Sequence, residues 1–180
     1  TFGEQYEIVL ADIMLAMERD PCGSDYGGTS WTTRVEADYV GRLLDLTPSH
    51  RLLDIGSGAG WPGLYLARNS GCDVALTDLP LSGLQIAAKR AVADQLASAC
   101  WTAAADGTAL PFRDAWFDAI SHSDVLCCLA DKGAMLRACR STIRPDGSMV
   151  FSVISIAPGL SEAGHERALA NGPPYIKTDT

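Results

Sequence analysis

Apolar and polar positions follow two rhythms along this chain, and the changes of rhythm divide it. Over residues 4–19 the apolar side chains Tyr6, Ile8, Val9, Leu10, Ile13, Met14 and Met17 recur at helical spacing, which predicts an amphipathic helix. Pro21-Cys22-Gly23-Ser24 ends it, and a Gly-containing loop over 25–33 leads to a second helix over 34–46. A regular succession follows. Arg51–Ile55 reads as a buried strand, then a glycine-rich turn, then a helix over 62–68. Pro62 suits the first turn of that helix because its missing N–H would be unpaired there anyway. Asp73–Thr77 is a second strand and 82–97 a helix rich in Ala, Leu, Gln and Lys. Residues 99–104 form a weak third strand, 116–121 a fourth, 132–143 a helix, and 148–156 a fifth strand after the turn Arg144-Pro145-Asp146-Gly147. Residues 157–180 are rich in Gly and Pro, lack periodicity and read as a loop or a truncated continuation.

Strands alternating with helices at this spacing imply right-handed βαβ units, hence a doubly wound α/β fold with a mostly parallel sheet. The chain divides into a helical cap segment (1–46), a ligand-binding core (47–156) and the tail. The apolar fifth strand would lie at a sheet edge, and such edges are normally covered. Further strands missing from this chain, a second copy or the tail must cover it; a fragment of a longer protein is the first expectation.

At 180 residues the chain suits one domain. Net charge is −8, and no cluster of Lys and Arg interleaved with aromatics appears, which disfavours a nucleic-acid partner and favours a small molecule. No apolar run approaches a membrane span, and no basic segment opens a secretory signal. The six cysteines show no C-x-x-C pair and no zinc-type spacing with histidine, so they read as reduced thiols of a cytoplasmic protein.

The central motif is Leu52-Leu53-Asp54-Ile55-Gly56-Ser57-Gly58-Ala59-Gly60, between the first strand and its helix. Glycines allow a tight turn and a close approach of backbone to ligand, and ligands of open α/β sheets bind beyond the carboxyl ends of the strands. Gly58 to Gly63 satisfies G-x-G-x-x-G, and Asp78 follows Gly58 by 20 residues, as a dinucleotide site demands. Two features oppose that reading. Asp54 at the strand terminus would accept hydrogen bonds from an ammonium group and repel a pyrophosphate. Trp61-Pro62 replaces the donor-bearing helix start that a pyrophosphate needs.

Asp54-Ile-Gly-Ser-Gly-Ala-Gly60 resembles the first motif of the class I S-adenosylmethionine-dependent methyltransferases, and the likeness extends over residues 50–155. Ala75-Leu-Thr-Asp78-Leu79 resembles the second motif, Ala105-Asp106-Gly107-Thr108-Ala109-Leu110-Pro111-Phe112 the third, and Trp116–Ser121 the fourth-strand motif. Within that class the chain resembles the small-molecule enzymes of type 11. The resemblance implies a Rossmann-like core that binds S-adenosylmethionine through Asp54, Gly56, Ser57, Gly58 and Gly60, with Asp78 on the ribose and Asp106 and Gly107 at the adenine. Leu79 would lie against the adenine ring, Ser121 would follow at the end of strand four, and Tyr26 would belong to a lid. Asp118 is expected to be structural.

Transfer from a sulfonium needs alignment more than acid–base chemistry, but a high-pKa nucleophile needs a base. His122 and Asp124, in the loop expected after strand four, are the candidates. Related amine methyltransferases carry a histidine farther along; Cys127-Cys128 stand there here. No metal is expected. Two rival readings remain open: an NAD-dependent oxidoreductase, and a non-catalytic binding module on the same fold.

Overall fold

The computed structural model describes Arg19 and residues 31–176. The amphipathic stretch over 4–19 and the lid residue Tyr26 lie outside the described residues. The elements are α1 (Arg34–Leu44), β1 (Arg51–Ile55), α2 (Gly63–Ser70), β2 (Asp73–Asp78), α3 (Leu81–Ala93), β3 (Cys100–Ala104), β4 (Phe117–Ser123), a 3-10 turn (Leu126–Cys128), α4 (Lys132–Thr142), β5 (Ile143–Ser152) and α5 (Glu162–Asn171). Thr33 caps α1 in a capping box with Glu36, and Asp131 caps α4 by accepting from Ala134 N–H.

The strands form one five-stranded sheet in the order β3-β2-β1-β4-β5, all neighbours parallel. β1, β2 and β4 are buried on both faces, which explains their nearly unbroken apolar runs. Alternate residues feed two cores. Leu52, Val74, Leu76 and Ala119 pack with Leu44, Leu64 and Leu84 from α1, α2 and α3; Leu53, Ile55, Ile120 and Phe117 pack with Met135 and Cys139 of α4. The strand order reverses between β1 and β4, so the crevice of such sheets opens at the ends of those strands.

Three expectations change. The turn expected at Arg144–Gly147 is an irregularity inside β5, where Phe117 faces Ile143 but Ala119 faces Ser148. A Cβ at Gly147 would lie 2.8 Å from the Asp118 carbonyl, so only glycine lets this backbone pass. The tail, expected as a loop or a truncated continuation, carries α5. Ser161 caps it by accepting from Gly164 N–H, but no residue of α5 is buried. Capping and propensity make the helix, with no core-facing stripe for periodicity to reveal. His122, expected in a loop, is the sixth of seven residues in β4.

β5 lies at the edge of the sheet, with Phe151 exposed on it and Val153 exposed just after its end. The tail instead reaches the 3-10 turn, where Tyr175 N–H donates to the Cys127 carbonyl at 3.0 Å. No helix among the described residues is long and apolar enough to cross a membrane.

Candidate active site

The glycine turn joins β1 to α2 through three left-handed residues, Gly56, Gly58 and Gly60, with φ of 68°, 52° and 99°. A side chain there would be strained. The turn is gripped on several sides. Ser57 N–H donates to Thr77 O at 3.0 Å and Gly60 N–H to Ser57 O at 2.7 Å. Gly58 N–H donates to Asp78 Oδ2 at 2.7 Å. Arg90 Nη1 donates to Ala59 O at 2.9 Å, and Trp61 Nε1 to Thr32 O at 2.8 Å. Sequence reasoning missed Arg90 and Thr32; neither belongs to a motif, and the bonds cross 31 and 29 residues.

The expected site residues among those described lie at this end of the sheet at different depths, while Tyr26 is outside the described residues. Asp54 lies beneath the turn, 1% exposed: Oδ1 accepts from the Ser121 hydroxyl at 2.7 Å and Oδ2 from Gly63 N–H at 3.1 Å. Burial pushes its pKa up to about 7, against those two hydrogen bonds and with nearby Asp78 adding to the rise. Asp78 sits higher, also accepting from Leu79 N–H at 2.7 Å, and Leu79 beside it is 64% exposed. Asp106 is exposed and folds back on Thr108, whose N–H and hydroxyl both donate to Oδ1 at 2.8 Å; these bonds hold its carboxyl below the usual range. Gly107 passes close to β1, since a Cβ there would stand 3.3 Å from Ile55 Cγ2.

His122 is 1% exposed and its ring stacks on Phe151 at 4.7 Å, with neither nitrogen hydrogen-bonded within the described structure. Burial lowers its pKa to about 4, so it is neutral at physiological pH and a poor general base. Asp124 has left-handed backbone (φ 58°) and is half-buried; burial raises its pKa, opposed by the Ser152 hydroxyl, with Glu36 close enough to add to the rise. Its carbonyl accepts from the Cys127 and Cys128 thiols at 3.0 and 3.6 Å. Among the described residues no group of three or more His, Cys, Asp or Glu is placed to hold a metal.

Two features suit a bound molecule. The Ser57 hydroxyl, in the turn, is buried without a hydrogen-bond partner in the described structure, and buried polar groups are normally satisfied. The turn also offers backbone close enough for contact, while its N–H groups at 57, 58 and 60 are already used inside the protein. A phosphate cradle needs such donors free; a nucleoside held by carboxylates does not. A cleft of about 300 Å³ between α1 and α2, lined by Ala37, Gly41, Arg42 and Leu66 among others, lies on the helical flank away from these groups. Its size does not make it the chemical centre.

Comparison with known proteins gives the same picture. The methyltransferase-domain family matches residues 53–151, more than half of the chain. A phosphoethanolamine N-methyltransferase of Triticum aestivum is 31% identical over 117 residues, 65% of this chain and 23% of that protein. The 27-O-demethylrifamycin SV methyltransferase of Amycolatopsis mediterranei is 31% identical over 137 residues, 75% of this chain and 48% of that protein. The chain thus spans less than half the length of these relatives. The crystal structure of the [4+2]-cyclase SpnF superposes with a TM-score of 0.71 at 24% identity, covering 90% of this chain and 62% of that one, and shares the fold. With the glycine turn, the acids at the ends of β1 and β2 and the family match falling on the same residues, the chain belongs to the methyltransferase-domain family, the class I S-adenosylmethionine-dependent methyltransferases of type 11.

Proposed function

We propose that this domain binds S-adenosylmethionine across the glycine turn and transfers its methyl group to a small molecule. The observation that carries the reading is the turn itself: left-handed glycines, internally used N–H groups, an orphan buried hydroxyl at Ser57 and the Asp78 carboxylate at its rim. Such a site suits a cationic nucleoside and offers little to a pyrophosphate, which sets the oxidoreductase reading aside. Asp78 would take the ribose hydroxyls, Leu79 the face of the base, and Asp106 with Gly107 the adenine edge. Asp54 would favour the positive end of the ligand through the field of its buried carboxyl, while holding Gly63 and Ser121. Tyr26 would close over the cofactor. When bound, S-adenosylmethionine supplies a methyl group already activated by its positive sulfur.

The residues of this chain then align and desolvate. His122, neutral and buried, would orient an acceptor by hydrogen bonding; Asp124, whose pKa burial raises, would be the base for an acceptor that must lose a proton. Known relatives act on phosphoethanolamine and on a rifamycin, by their names, so amine and hydroxyl acceptors are both within the class. The cysteines among the described residues are all free thiols, which supports a reducing, cytoplasmic setting.

A second reading, cofactor binding without methyl transfer, is favoured by Cys127-Cys128 standing where a histidine is usual. The two are separated by incubating the protein with methyl-labelled S-adenosylmethionine and a panel of small amines, hydroxyls and carbon acids. Acceptor-dependent release of S-adenosylhomocysteine is expected. Tight cofactor binding with no release from any acceptor class would leave the second reading standing.

A further inference from the structure

We infer that Arg90 is a positioning residue for the cofactor: it presets the glycine turn from α3 by holding the Ala59 carbonyl. The inference rests on the proposed cofactor reading and goes beyond it, since no motif includes Arg90. One stretch of α3 supports the turn through three side chains. Ile86 packs on Ala59, which is fully buried. Ala87 stands so close that a Cβ on Gly60 would lie 3.2 Å from its own. Arg90, four residues after Ile86 and so on the same helical face, donates from Nη1 to the Ala59 carbonyl at 2.9 Å.

Two peptide groups of the turn, with one peptide between them, are therefore held by opposite charges. The Asp78 carboxylate takes the N–H of Gly58, and the Arg90 guanidinium gives to the carbonyl of Ala59. These holds differ in what a ligand does to them. Asp78 is the group a ribose would engage, so part of its grip on Gly58 is open to competition when the cofactor enters. Arg90 is half-buried in α3 and donates to a carbonyl, whose second lone pair can take a further donor from a ligand without displacing the guanidinium. Its grip persists in both states. Because the Ala59 peptide is planar, fixing its carbonyl also fixes the direction of the Gly60 N–H, which closes the turn on Ser57 O at 2.7 Å. The left-handed glycines make this loop cheap to distort, and a loop ordered only on binding weakens affinity by the cost of ordering it. Arg90 removes that cost in advance.

The test is calorimetric titration of the purified protein with S-adenosylhomocysteine. Arg90→Met, which keeps the aliphatic stem and loses the donors, is expected to weaken binding about tenfold. Its thermal midpoint should fall by no more than a few degrees, because a part-exposed charged hydrogen bond contributes little to overall stability. The cofactor KM should rise more than kcat falls. Arg90→Ala should regain at least part of its affinity when guanidinium is added at millimolar levels, a recovery that a purely structural role would not show. Equal affinities in wild type and Arg90→Met, or no recovery with guanidinium, would overturn the inference. Failure of the wild-type protein to bind would instead sink the cofactor reading.

Discussion

At the amino end of the sheet Asp118 is surrounded by cations; at the carboxyl end Asp54 is buried with no cation among its partners in the described residues. Asp118 accepts from Arg51 N–H at 2.7 Å, pairs with the Arg51 guanidinium at 3.5 Å and is bound by Arg144. Arg51 and Arg113 lie over the two sides of Trp116 at 3.7 and 3.3 Å from its centroid. Among the described residues Asp54 has only a hydroxyl and one N–H to offset its burial, and the same end of the sheet holds a serine and a histidine without hydrogen-bond partners there and the left-handed Asp124. The amino end is built for stability and satisfied within the chain. The carboxyl end leaves polar groups unsatisfied within the described residues, as suits the proposed cofactor site.

The contrast breaks or sharpens by mutation. The largest effect should come from Asp118→Ala, which strands Arg51 N–H and two guanidinium groups: a loss of about 3 kcal/mol in chemical denaturation, discounted from a fully buried pair because both arginines are partly exposed. Cofactor affinity of the folded fraction should be unchanged. Next, Gly63→Ala would place a Cβ 2.6 Å from both Asp54 Oδ2 and Leu76 Cδ2. Overpacking there should cost about 2 kcal/mol and, unlike Asp118→Ala, also weaken cofactor binding.

Acidity separates the carboxyl-end groups. Asp54 holds its proton to about pH 7 in the folded state against 3.8 ordinarily, so between those values the folded state binds more protons and stability falls as pH rises. His122 runs the other way: its folded pKa of about 4 lies below 6.5, so stability rises with pH across that interval. The two slopes oppose. Asp54→Asn should therefore leave a stability that climbs from pH 4 to 6.5 in urea titrations, and His122→Phe one that declines from pH 4 to 7. The smallest effect is expected of Ser57→Ala. Deleting an unsatisfied buried hydroxyl should stabilise the unliganded protein by up to about 1 kcal/mol in thermal melts, while weakening cofactor binding.

Much of this contrast was legible in the sequence. The apolar runs located β1, β2 and β4, which are buried on both faces, and the glycine turn and Asp78 fall at the carboxyl ends of β1 and β2, though the first half of β5 was expected to be a turn. Asp118 was expected to be structural, and its partners bear out that role. What stayed hidden was depth and distance. Nothing in Asp54-Ile-Gly tells that the carboxyl turns under the loop toward Gly63, and nothing in Ser121-His122-Ser123 tells that β4 runs two residues longer and buries the histidine. Arg90 and Thr32 reach the turn only through tertiary packing, and α5 has no buried stripe to announce it.

The most direct measurement is a calorimetric titration of the wild-type protein and Asp78→Asn with S-adenosylhomocysteine and, separately, with NAD. The account predicts saturable heat from S-adenosylhomocysteine alone, weakened at least about tenfold in Asp78→Asn. Saturable binding of NAD, or identical S-adenosylhomocysteine affinity in the two proteins, would contradict it.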